Sequence, residues 1–212
     1  MESLEAQDVT AVILAGGKGR RIDGQDKGLI ELGGKPLIEH ILEAVRPQVA
    51  SILINANRNS ERYGEYGYPV IPDDMSDFQG PLAGIAIGME HAHTPYIITL
   101  PCDGPFVPDD MVSHLGQALV RDDADLAIAH DGVRMQPVHA LLPVSLLNSL
   151  KAFLASGERK IDRWYGLHNF VLADFSDHPA AFLNVNTPGD LEHIQSLLSV
   201  NKSTSKQTRQ NT

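Results

Sequence analysis

The chain has 212 residues, 42% of them hydrophobic and 21% charged, the balance of a globular protein large enough to bury one sizeable core. Its 17 Lys and Arg against 27 Asp and Glu leave a net charge of −10, which argues against a broad nucleic-acid surface, so an anionic ligand must be met by a local basic cluster. A single cysteine, Cys102, excludes an internal disulfide framework and a multi-cysteine zinc site, and no apolar run approaches the roughly 18 residues that span a bilayer, so a cytoplasmic location is expected.

Met1 to Asp8 carries three acidic residues and no apolar run, and reads as an N-terminal extension. Thr10 to Ala15 is short, continuously apolar and ends at glycines, the pattern of a strand buried on both faces. The glycine-rich basic loop that follows, GGKGRRIDGQDKG over residues 16–28, is the densest basic cluster in the chain. It fits neither familiar phosphate fingerprint. The P-loop spacing from Gly16 arrives at Arg21, and from Gly19 at Gly24 followed by Gln25. The dinucleotide pattern G-x-G-x-x-G finds Gly17 and Gly19, then meets Ile22. An anion cradle of another design is expected.

Pro36 opens a helix with Leu37, Ile38, Ile41, Leu42 and Val45 on one face, closed by Pro47. Ser51 to Ile54 and Tyr68 to Ile71 read as strands. From Gly80-Pro81, the residues Leu82, Ile85, Ala86 and Met89 recur at helical spacing, Tyr96 to Leu100 is a bare apolar strand, Pro108 to Leu119 is a helix, and Leu126 to Ala129 is a strand. Val138 to Leu142, Ser145 to Ala155, Phe170 to Ala173, Phe182 to Val185 and Pro188 to Leu198 complete the set. Thr187, Pro188 and Asp190 form a good helix start. Residues 201–212 lack apolar side chains, and 200–212 are expected to be a disordered tail. Strands separated by helices predict an α/β fold: a single three-layer α/β/α domain around a mostly parallel, Rossmann-like sheet.

Ligands of such sheets bind beyond the carboxyl ends of the strands. Four notable stretches lie there: LAGG (14–17), NAN (55–57), PDD (72–74) and PCDGP (101–105). Their chemistry is complementary. Glycines expose N–H groups as an anion nest, Arg20, Arg21 and Lys27 add positive charge, asparagines can read a base edge, and a carboxylate can hold Mg²⁺.

LAGG, Lys18, Arg20-Arg21, DKGL (26–29) and GGKPL (33–37) together resemble the signature of the nucleotidyltransferases related to molybdenum cofactor guanylyltransferase. The match continues through INANR (54–58), Asp73-Asp74, GPLAG (80–84), PCDGPF (101–106), GER (157–159), DFSDH (174–178) and FLNVNTP (182–188). It covers about residues 9 to 198, in order. The resemblance implies the fold of the nucleotide-diphospho-sugar transferases, with a nucleotide-binding half at about 9–106 and an acceptor half at about 107–199. It implies transfer of GMP from GTP to the phosphate of molybdenum-molybdopterin, with Mg²⁺ as cofactor and pyrophosphate released.

Carried over one at a time, Leu14, Ala15, Gly16 and Gly17 approach the guanine and begin the phosphate loop, and Lys27 faces the phosphates. Asn55 and Asp73 contact the nucleotide, and Asp103 holds Mg²⁺; Lys27, Asp103 and Arg21 take the catalytic roles. Arg159, Lys160, Asn184 and Asn186 are the residues expected to meet the acceptor. A monomer that makes transient contacts with cofactor-biosynthesis or acceptor proteins is expected. Three departures stand out. Gly19 replaces Ser or Ala, Ile22-Asp23 replaces Met-Gly, and PVHAL (137–141) differs from the usual His-Pro-Thr order. The sequence leaves two other readings open: a related enzyme using CTP or a sugar-phosphate acceptor, and a non-catalytic cofactor carrier of the same fold.

Overall fold

A computed structural model of the protein describes residues 4–15, 26–73 and 80–209, with residues 199–209 described as backbone. In chain order the elements are β1 (Val9–Leu14), the hairpin strands β2 (Glu31–Leu32) and β3 (Lys35–Pro36), α1 (Leu37–Val45), β4 (Ser51–Asn55), α2 (Ser60–Gly64) and β5 (Val70–Ile71). Then come α3 (Pro81–His91), β6 (Tyr96–Pro101), α4 (Met111–Arg121), β7 (Leu126–His130), β8 (Met135–Pro143), α5 (Leu147–Ala155), α6 (Ile161–Tyr165), β9 (Phe170–Asp174) and α7 (Pro188–Arg209).

Seven strands form one sheet in the order β5-β4-β1-β6-β8-β7-β9. All its pairings are parallel except those of β8, which runs antiparallel between β6 and β7. The expected mostly parallel sheet is therefore present, with one reversed strand inside it.

Alternation along the strands explains the two layers of helices, because successive side chains leave opposite faces. Val9, Ala11 and Ile13 of β1 join Ile38, Ile41 and Val45 of α1 and Met111, Val112 and Leu115 of α4 in one core. Val12 turns the other way and packs with Leu82, Ile85 and Met89 of α3, Leu150 and Leu154 of α5, and Trp164 and Tyr165 of α6. Gly88 of α3 allows this contact, since a Cβ there would lie 2.6 Å from Val12 Cγ2. Ile13 is fully buried, and its truncation to Ala is expected to cost about 2–5 kcal/mol in lost burial plus cavity.

Two segments differ from the sequence reading. Phe182 to Val185 is irregular chain, not a strand. Its apolar residues are buried because Phe182 packs in the α1/α4 core while Val185 joins Leu32, Leu37 and Ile194. The end of the chain corrects the expected disordered tail, for α7 runs on to Arg209. Extending a nucleated helix needs one hydrogen bond per residue and no apolar face, so helical backbone outlasts the apolar pattern that ends near Leu198. Its start follows the sequence reading. The Thr187 hydroxyl accepts from Asp190 N at 3.2 Å, and the Asp190 carboxylate accepts from Asn186 N and Thr187 N at 2.9 and 2.8 Å. Those bonds hold the Asp190 carboxyl below its ordinary pKa.

Candidate active site

The carboxyl ends of β4, β1 and β6 lie side by side, and the chain leaves β1 toward β4 but enters β6 on its other flank. This reversal opens a crevice where ligands of α/β sheets bind. Backbone bonds stitch the ends together: Ala15 N donates to Asn55 O at 2.8 Å, and Cys102 N donates to Leu14 O at 3.2 Å. Leu14, Ala15, Asn55 and Asp103 are thereby brought to one rim.

On the β4 side, Asn55 is 4% exposed and donates from Nδ2 to Ile71 O at 3.1 Å and to Asp73 Oδ1 at 2.8 Å. Asn57 completes the clasp, donating to Asp73 Oδ2 at 2.7 Å while its Oδ1 accepts from Asp73 N at 2.7 Å. Helix α3 backs this corner through Gly84. A Cβ there would overlap Asn55 Oδ1 and lie 2.7 Å from Leu14 Cδ2, so the GPLAG motif needs its second glycine for close approach.

Lys27 opens a short 3₁₀ turn, Lys27–Leu29, capped by Asp26. The Asp26 carboxylate accepts from Tyr63 Oη at 2.7 Å, Asn59 Nδ2 at 3.0 Å and Gly28 N at 3.3 Å. Gly28 is wedged beneath, where a Cβ would lie 2.6 Å from the Tyr63 hydroxyl and 3.2 Å from Cys102 Cβ. Burial pushes the Tyr63 hydroxyl and the Cys102 thiol well above their ordinary pKa values, so both stay neutral and Cys102 is no thiolate nucleophile.

The turn aims Lys27 across the crevice. Its Nζ donates to Asp103 Oδ2 at 2.8 Å and to Asn186 Oδ1 at 2.6 Å. Side chains distant in sequence thus converge as lysine, carboxylate and amide, with the ion pair largely sheltered at 17% and 16% side-chain exposure. Val185 N donates to Asp103 O at 2.9 Å, which ties the Asn184–Asn186 segment to the end of β6. Asp103 Oδ1 has no hydrogen bond among the described residues. A hard carboxylate oxygen left open at the rim of the crevice suits Mg²⁺, which is typically held by one or two carboxylates plus phosphates. No group of three or more His, Cys, Asp or Glu side chains forms an all-protein metal cage among the described residues.

A cavity of about 350 Å³ lies on the β8 side of the end of β6, lined by Pro101, Arg134, Gln136, His139 and Asn184 among others. The Asn184 side chain packs on Gly104, where a Cβ would lie 3.0 Å from its Oδ1. His139 and Gln136, both buried, were not singled out by sequence reasoning; the only signal was the odd PVHAL order at 137–141. Of the four residues expected to meet the acceptor, Asn184 and Asn186 stand beside Asp103 and Lys27. Arg159 and Lys160 lie in the α5–α6 turn, where Arg159 Nη1 donates to Leu154 O at 2.9 Å and Glu158 O at 2.7 Å. Gly16, Gly17 and Arg21 lie outside the described residues, as does Asp74.

A profile of the MobA-like NTP transferase domain matches residues 11–170. A molybdenum cofactor guanylyltransferase of Shewanella pealeana is 54% identical over 189 residues, covering 89% of this chain and 94% of its own. The molybdopterin-guanine dinucleotide biosynthesis protein A of Archaeoglobus fulgidus superposes with a TM-score of 0.74 at 26% identity, over 90% of this chain and 98% of its own. A 4-diphosphocytidyl-2C-methyl-D-erythritol synthase from Anaerococcus prevotii shares the fold alone, at 13% identity and a TM-score of 0.69, over 92% and 100% of the two chains. With the profile spanning most of the chain and these relatives matching it nearly end to end, the protein belongs to the MobA-like NTP transferase family.

Proposed function

We propose that the protein transfers GMP from GTP to the phosphate of molybdenum-molybdopterin, forming the guanine dinucleotide cofactor and releasing pyrophosphate. The observation that carries this reading is the convergence of Lys27, Asp103 and Asn186 at the ends of β1 and β6, in a chain whose 54%-identical relative is named for that activity. An oxygen of the acceptor phosphate attacks the α-phosphorus of GTP. The Pα–O bond to the β-phosphate breaks, and pyrophosphate leaves with the electron pair.

Because the attacking oxygen is already anionic, the chain need not supply a covalent nucleophile; alignment and neutralisation of charge suffice. Lys27, a compact ammonium on a flexible stem held by the Asp26 turn, is placed to follow the charge that develops on the leaving group. Leu14, Ala15, Asn55 and Asp73 form the base-side rim; the roles of Gly16, Gly17 and Arg21 at the phosphates, outside the described residues, rest on the resemblance. Asn184 and Asn186 face the acceptor. Arg159 and Lys160 remain candidates for its outer, anionic edge. Asp103 would hold Mg²⁺, which when bound supplies positive charge shared between the phosphates.

The reading places the protein in the cytoplasm as a monomer that hands over its product by transient contacts; no described helix is long and apolar enough to cross a membrane. The test offers purified protein GTP, CTP or ATP with Mg²⁺ and molybdopterin and measures pyrophosphate. Release with GTP alone is expected. Release with CTP but not GTP selects a cytidylyl enzyme, and none with any nucleotide selects a non-catalytic carrier.

A further inference from the structure

We propose that His139 is a recognition residue for the acceptor, its imidazole acting with Asn184 on the polar edge of a planar heterocycle seated in the β8 cavity. The inference rests on the acceptor being the molybdopterin of the proposed function. Three observations carry it.

The first is a break in the sheet. On β8, Ala140 pairs with Ile128 but Gln136 already pairs with Ala129, so Pro137, Val138 and His139 bulge out of a single step of β7. The pairing of β6 with β8 ends at the same place, at Thr99–Ala140, while β6 continues to Pro101. Bulges re-aim side chains beside functional sites, and the bulged Pro137, Val138 and His139 all line the cavity.

The second is a pair of orphaned polar atoms. His139 Nδ1 and Asn184 Oδ1 are buried without a hydrogen-bond partner, and both residues line the cavity. Native interiors satisfy nearly all such atoms, so two in the wall of one cavity mark a place where a small reorientation of the two side chains toward a ligand would complete them. An amide oxygen asks for a donor, and a neutral imidazole nitrogen offers either role according to its tautomer. A reduced pterin carries ring N–H, amino and carbonyl groups on one flat edge and can meet both.

The third is the lining. Pro101, Met135, Pro137 and Val138 give faces for a flat ring, while Arg134, 76% exposed at its side chain, offers positive charge on the same wall. The volume lies at the small end of the roughly 300–1,000 Å³ typical of small-molecule sites, which suits one fused ring system and not a whole nucleotide. In the sheet order the cavity lies across β6 from Asn55, so base and acceptor approach the Asp103 end of β6 from opposite flanks. Burial lowers the His139 pKa to about 4, so the ring meets its ligand uncharged.

The experiment compares full-length wild type with His139→Phe and His139→Gln, measuring KM for molybdopterin, KM for GTP, kcat and Tm. His139→Phe is expected to raise the acceptor KM by about tenfold with GTP KM unchanged and Tm not lowered, and His139→Gln to recover most of the loss. An unchanged acceptor KM in a folded His139→Phe variant overturns the inference, as does an equal rise in both KM values. Should His139→Phe not fold, His139→Ala assayed with and without added imidazole decides: a raised acceptor KM that imidazole lowers supports it, and no effect of either overturns it. Wild type that forms no product fails the proposed function itself, whereas active wild type with an unaffected His139→Phe fails this inference alone.

Discussion

The two flanks of β6 handle their polar groups in opposite ways. On the β1–β4 side every site carboxylate is engaged: Asp26 accepts three hydrogen bonds, and Asp73 is clasped by Asn55 and Asn57. On the β8 side, His139 Nδ1 and Asn184 Oδ1 are buried without a hydrogen-bond partner. Among the described residues, the proposed nucleotide side is therefore a frame whose carboxylates are satisfied by its own side chains. The acceptor side stores an unfavourable desolvation that its ligand relieves, which favours selective capture of a molecule with matching donors and acceptors.

Asp103 sits on the seam, and its loss is expected to be the largest effect. Asp103→Ala should lower turnover by roughly 10²–10³, as when an electrostatic stabiliser of a transferring group is removed. Steady-state pyrophosphate release at saturating Mg²⁺ checks this, and near-wild-type turnover would break the seam assignment.

His139 sharpens the contrast through pH. Its folded pKa of about 4 lies below its ordinary 6.5, so the unfolded chain takes up the proton first. The stability contributed by burying a neutral ring is present above pH 6.5 and is lost as pH falls from 6.5 to 4, by about 3 kcal/mol. Denaturation of His139→Phe across that window should lack this slope; a curve parallel to wild type would mean the ring is not desolvated.

The closed frame should respond to crowding instead. Gly84→Ala pushes a Cβ into Asn55 and Leu14, so a cost of about 1–3 kcal/mol and weaker GTP binding are expected, with acceptor affinity unchanged in the free enzyme. Isothermal titration with each substrate separates the two. Smallest of all, Tyr63→Phe removes one bond to Asp26 and should cost about 1–2 kcal/mol, read from denaturant midpoints. A shift in the molybdopterin KM of that variant would show the two flanks to be coupled.

The sequence made the layers legible because continuous apolar runs and helical spacing are local signals. Val9–Leu14 and Tyr96–Pro101 are strands within a residue or two of the sequence reading. The convergence of Lys27, Asp103 and Asn186 was visible only through the resemblance, since no spacing links residues so far apart. The Asp26 latch, with Tyr63 and Asn59 from the α2 region, left no such trace. Phe182–Val185 misled because burial makes an irregular segment as apolar as a strand. His139 was hidden for the opposite reason: a bulge interrupts the period-two pattern that would place it inward.

If these two flanks deliver GTP and molybdopterin to one phosphorus, GTP carrying ³²P at the α-position, incubated with molybdopterin, Mg²⁺ and wild-type protein, yields label in a molybdopterin dinucleotide, mole for mole with pyrophosphate. Pyrophosphate released while the label stays in free GMP would contradict it.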